Sequence, residues 1–138
     1  MIILDTNVVS ELMRPIPSEV VRAWLSNQPS ETLFTTTITQ AEILYGVALL
    51  PESHRRTMLL AAAEQMFAID FADRVLPFDG SAAKAYAKLA ADRRREGRPA
   101  GALDVQVAAI AQACGASVAT RNVTDFLGYG PTIIDPWA

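Results

Sequence analysis

Four apolar residues without alternation, Met1-Ile2-Ile3-Leu4, run directly into an acid, Asp5. A run of that kind suits a strand buried on both faces, the condition of a parallel sheet. Further short runs of the same character occur at 33–36, 74–76, 117–119 and 132–134. Helical patterns fill the intervals. Ser18 can cap a helix whose Val20, Val21, Trp24 and Leu25 share a face. Thr39 can cap the next, with Ala41, Leu44, Tyr45 and Ala48 inward and Pro51 as its stop. Residues 52–68 are rich in Ala and Leu. Residues 81–95 carry Ala82, Ala85, Tyr86 and Leu89 at helical spacing, with Gly97 beyond, and 103–114 form an Ala-rich helix that Gly115 ends. Strand and helix alternating in this way predict an α/β sandwich, a parallel sheet with helices on both faces. No linker or internal repeat divides the chain, so residues 1–138 are expected to form one domain.

Composition narrows the function classes. Hydrophobic residues make up 51% of the 138, which excludes a disordered chain. Twelve Lys+Arg against 15 Asp+Glu give a formal charge of −3, which argues against holding nucleic acid by bulk positive charge alone. Cys114 is the one cysteine, so no internal disulfide forms; after Ala113 it reads as a small buried hydrophobe. His54, beside Arg55 and Arg56, reads as a solvated surface residue. No apolar run is long enough to span a membrane and no signal peptide is evident, so a soluble cytoplasmic protein is expected.

In sheets of this type ligands sit outside the carboxyl ends of the strands, where strand order reverses. Asp5 follows the first run directly. It suits a helix N-cap and a catalytic acid equally. Thr39-Gln40-Ala41-Glu42 fits a capping box and also places a carboxylate in a first helical turn near the sheet edge. Asp104 opens the Ala-rich helix, where an acid is ordinary dipole chemistry, but the small apolar face behind it predicts a tightly held position. Asn122 stands at the end of the fourth run, with Asp125 one turn on; a loop or cap role is open to both. Taken together, three or four oxygen ligands from separate segments are expected at one edge. Crowded carboxylates repel unless a hard cation such as Mg²⁺ or Mn²⁺ neutralises them, and such a site can activate water for displacement at phosphorus. Arg93, Arg94, Arg95 and Arg98 precede the Asp104 helix. They can grip a phosphate backbone, or equally form a solvated helix end.

The ordered set Ile2-Ile3-Leu4-Asp5-Thr6-Asn7, Thr39-Gln40-Ala41-Glu42, Asp104 with its helix, and Val118-Ala119-Thr120-Arg121-Asn122 resembles the PIN-domain nucleases, and among them the VapC and FitB-like toxins of type II toxin–antitoxin pairs. The likeness extends to Leu44-Tyr45-Gly46-Val47, Leu76-Pro77-Phe78-Asp79 and Asp135-Pro136-Trp137. It implies a Rossmann-like fold with strand order 3-2-1-4-5 and a metal-dependent endoribonuclease that cuts RNA, in the family often a tRNA or ribosomal RNA. It also implies a homodimer and a cognate antitoxin whose C-terminal segment covers the site. Residue by residue, Asp5, Glu42 and Asp104 match the acids that bind metal and activate water, and Asn122 matches a fourth site position. Thr6 and Thr120 match hydroxyl positions on the rim, and Arg121 is a candidate for gripping substrate. Many relatives carry Asp where this chain has Asn122, which leaves a second metal in doubt. Asp79 aligns with a helix cap.

Two rival classes remain. A PIN fold retained only for binding protein is favoured by Asn122 and opposed by the intact acids. A receiver-type phosphoacceptor wants paired acids behind the first strand and a lysine behind the last, and neither is present. No Gly-rich phosphate loop follows the first strand either.

Overall fold

The five apolar runs become five parallel strands: β1 (Ile2–Leu4), β2 (Leu33–Thr36), β3 (Val75–Leu76), β4 (Ser117–Ala119) and β5 (Ile133–Ile134). These come from a computed structural model that describes residues 1–138. The sheet order is β3-β2-β1-β4-β5, as the family resemblance implied. Seven α-helices connect or flank the strands: α1 (Thr6–Leu12), α2 (Glu19–Ser26), α3 (Thr37–Ala48), α4 (His54–Gln65), α5 (Gly80–Arg95), α6 (Ala102–Cys114) and α7 (Val123–Phe126). A π-helical turn, Met66–Asp70, continues α4 and breaks the regular helix expected to reach 68.

β1 is central because both its faces are apolar. Ile3 joins a cluster with Val107, Ile110 and Val118 under α5, α6 and α7. Its neighbour Leu4 points the other way, into Val8, Val21, Ile43 and Phe67 under α1 to α4. Five consecutive residues of α6, from Val107 to Ala111, are buried. A helix apolar around this much of its circumference belongs in the interior, and its small side chains let it lie close to the sheet. Gly115, at φ +66°, ends it in the left-handed conformation that glycine adopts without strain.

Several local expectations are corrected. α3 starts at Thr37, directly after β2, and Thr36 is its cap, accepting from the Thr39 amide at 3.1 Å. No capping box forms at Thr39. Thr39, Ile43 and Val47 of α3 face inward, while Ala41, Tyr45 and Ala48 face out. With Ile, Leu, Tyr and Val on every side of α3, periodicity alone did not fix the face. On α2, Ser18 holds the N-cap position without a side-chain cap bond, and Val20 is exposed. Cys114 is exposed, contrary to the buried reading, along with its neighbours Gln112 and Ala113 in the last turn of α6. His54 is exposed as expected, and no helix is long and apolar enough to cross a membrane.

Candidate active site

The topology itself selects a place. From β1 the chain proceeds through β2 to β3 on one side and returns to β4 and β5 on the other, so strand order reverses between β1 and β4. The residues just past those two strands are Asp5 and Thr120. They continue the parallel register of Leu4 with Ala119, and the Asp5 amide donates to the Ala119 carbonyl at 2.9 Å.

Asp5 is both cap and site residue, so the two sequence readings coincide. One carboxylate oxygen, Oδ1, accepts from the Thr6 amide at the start of α1 at 2.8 Å. The other, Oδ2, accepts from the Thr120 hydroxyl, also at 2.8 Å. Each oxygen keeps a free lone pair. Burial pushes this carboxyl above its ordinary range, the two hydrogen bonds pull it back, and the negative charge of Glu42 pushes it up again.

Glu42 is held by Thr6. The Thr6 hydroxyl donates to Glu42 Oε1 at 2.8 Å and lies 3.1 Å from the Thr39 hydroxyl. One hydroxyl has one proton, so Thr39 is the donor in the second contact. Thr39, which looked like a cap, therefore supports the rim, and the same is true of Asn7. The Asn7 amide donates to Thr120 Oγ1 at 3.3 Å, and its carbonyl accepts from the Arg121 amide at 3.2 Å. Asn7 is legible in the Asp5-Thr6-Asn7 run only as another cap-forming residue.

Asp104 stands in the first turn of α6, whose N-cap, Gly101, makes no side-chain cap bond. Its pKa is raised by burial first, then by the charges of Asp5 and Asp125, while Arg93 opposes. Asn122 is exposed. It reaches the edge through its backbone, whose amide donates to Thr120 Oγ1 at 3.1 Å, and its side chain makes no cap bond. Arg121 is exposed too, with its guanidinium carbon 4.9 Å from the Trp137 ring centroid. Arg94, Arg95 and Arg98 are exposed, but Arg93 is buried, which overturns its reading as part of a solvated or RNA-gripping helix end.

The acids thus share one edge and bear on one another electrostatically. No three carboxylates are drawn close enough to ligate one ion unaided. The donor set is nevertheless all oxygen and partly buried, which fits a hard divalent cation that keeps some of its water. Beside Glu42 and Thr6 an apolar groove of about 690 Å³ opens between α1, α3 and α4. Met13, Val47 and Leu59 line it, and Arg14 and Arg55 stand at its margins.

The PIN domain family matches residues 2–126. The chain belongs to the PIN-domain family. Among its relatives, this PIN protein is 43% identical to the VapC ribonuclease Y4jK of Sinorhizobium fredii, over 99% of this chain and 98% of the relative. Its identity to toxin FitB of Neisseria gonorrhoeae is 39%, over 99% of both. Its fold superposes on the crystal structure of FitAcB from Neisseria gonorrhoeae with a TM-score of 0.92, covering 99% of each chain at 39% identity. The branch of the PIN family that the sequence resembles, the VapC and FitB type, is therefore the one the whole chain matches.

Proposed function

We propose that the protein is a divalent-metal-dependent endoribonuclease and the toxin of a toxin–antitoxin pair, acting as one domain over residues 1–138. The observation that carries this reading is the buried Asp5 carboxylate, fixed by Thr6 and Thr120 at the reversal of strand order, with Glu42 and Asp104 in electrostatic range. The names of the relatives, a ribonuclease and a toxin, agree with it.

Asp5, Glu42 and Asp104 would hold Mg²⁺ or Mn²⁺, with Asn122 offering an amide oxygen at the rim. When bound, such an ion lowers the pKa of water and neutralises charge on a phosphate. The chain's own residues do the rest. Thr6 and Thr120 keep the Glu42 and Asp5 oxygens oriented, as partners behind metal ligands do. A carboxylate that is not fully engaged can take the proton of the attacking water. Arg121, seated on Trp137, offers its guanidinium to the RNA backbone.

A toxin needs a partner that silences it. The groove beside Glu42 suits an amphipathic antitoxin segment, and basic side chains of that segment would answer the acids. We also propose a homodimer, because Tyr45, Leu49, Leu60 and Ile69 leave apolar surface exposed outside that groove. Its mass at micromolar concentration by sedimentation tests this; a monomer there counts against it.

The decisive experiment is cleavage of total RNA with Mn²⁺ by the wild type and Asp5→Asn. Loss of about a hundredfold or more in rate is expected for the variant, the scale of removing a metal ligand and its charge. Undiminished cleavage by Asp5→Asn would overturn the reading.

A further inference from the structure

Arg93 is the charge in this molecule that most needs explaining. It sits in the last turn of α5, yet only 6% of it is exposed. Its Nε is buried without a hydrogen-bond partner, and it takes part in none of the ion pairs. A buried cation without a paired anion is expensive. Two features offset that cost. The guanidinium carbon lies 4.3 Å from the centroid of the Tyr129 ring, a cation–π seat. It also shares with Asp104 and Asp125 the wall of a void of about 10 Å³ beneath the start of α6. That void holds at most one water. The positive charge therefore faces the half of the site where the strand-end residue, Asn122, contributes no charge of its own.

We propose that Arg93 is the resident counter-charge of the Asp104–Asp125 half of the site, so that the site takes up one divalent cation rather than two. The inference rests on the metal-dependent reading above. A second ion entering on the Asp125 side meets a fixed guanidinium, and like charges repel. No buried cation faces Asp5 and Glu42: their hydrogen-bond partners are the neutral Thr6 and Thr120, and Arg14 and Arg55 of the neighbouring groove are exposed. Arg93 acts here as a positioning residue, seated by Tyr129. Tyr129 is itself anchored through its hydroxyl to Glu96 and flanked by Arg98.

Calorimetric titration of the purified full chain with MnCl₂ tests the proposal without reference to activity. The wild type is expected to bind one Mn²⁺ per chain. Arg93→Met should admit a second, weaker ion, and Arg93→Lys, which keeps the charge, should restore a count of one. A merely structural role would not change the count in this charge-dependent way. Two ions of similar affinity on the wild type, or a single ion on a folded Arg93→Met, overturn the proposal while leaving the nuclease reading intact. Should Arg93→Met fail to fold, Asp125→Asn, at an exposed position, decides. It should still bind one ion, with affinity changed less than about tenfold, since Asp125 is placed on the wall of the void beside Arg93 and not on the metal. A larger loss overturns the proposal. A wild-type chain that takes up no Mn²⁺ overturns the nuclease reading and this inference with it.

Discussion

The Thr120 hydroxyl donates to Asp5 Oδ2 at 2.8 Å while accepting from the Asn7 side chain and the Asn122 amide. Its single proton is therefore committed to the carboxylate, because both other contacts arrive as donors. The bond favours the ionised form of Asp5 against the burial that disfavours it. Thr120→Val removes the donor and keeps the shape. Cleavage of RNA with Mn²⁺ is expected to fall about ten- to a hundredfold, the usual effect of losing a partner behind a metal ligand. Thr120→Ser should recover most of the rate. A Thr120→Val enzyme as fast as the wild type would show that Asp5 needs no such support.

The raised pKa values of Asp5 and Asp104 make a prediction about the metal-free protein. A carboxyl whose folded pKa exceeds its unfolded value binds more protons in the native state over the interval between the two. Stability contributed by these groups is therefore greatest below the ordinary carboxyl pKa. It declines as pH rises through the raised values and is flat above them. Thermal melts in EDTA should accordingly place Asp104→Asn above the wild type at about pH 7.5, with the difference shrinking towards about pH 4 as the wild-type acid protonates. Added Mn²⁺ should stabilise the wild type at the higher pH, since it binds the native state alone. A wild type that gains stability relative to Asp104→Asn as pH rises in EDTA would contradict the sign.

Arg121 is the cation of the β4 edge, and its stacking on Trp137 holds it open to solvent instead of folded back on an acid. Arg121→Ala is expected to raise KM for RNA about tenfold with a smaller change in kcat, the worth of one charge-assisted hydrogen bond. The slope of log affinity against log salt should become shallower by about 0.7, one phosphate contact on a single strand. Trp137→Leu should share the KM effect in part, and Trp137→Phe should reverse it. An unchanged salt slope in Arg121→Ala would remove Arg121 from the substrate path.

The frame of the molecule was readable because each strand is short, apolar and followed at once by polar residues. Ile3 and Leu4 supply opposite faces of the same strand, and such a run has few places to go but the middle of a covered sheet. Asp5 was readable for the same reason, since position alone places it at the sheet edge. The orientation of α3 was not. Thr36, Thr37 and Thr39 are all competent caps, and choosing among them depends on where β2 stops hydrogen-bonding, a tertiary matter. Arg93 was the larger surprise. Three arginines in a row look like a solvated helix end, and only the approach of Tyr129, 36 positions later in the chain, shows that the first of them is drawn inside. Burial of one member of a like-charged run leaves no local trace in sequence.

Asp5 and Thr120 touch across 115 positions of chain. A ribosome making this protein delivers Asp5 early and its partner near the end of the job. β1 must wait for β4 before its second edge is paired. The acidic edge therefore cannot assemble while the nascent chain is still growing towards residue 120. Contacts this distant in sequence also form slowly, which adds a further interval after release before the edge is complete.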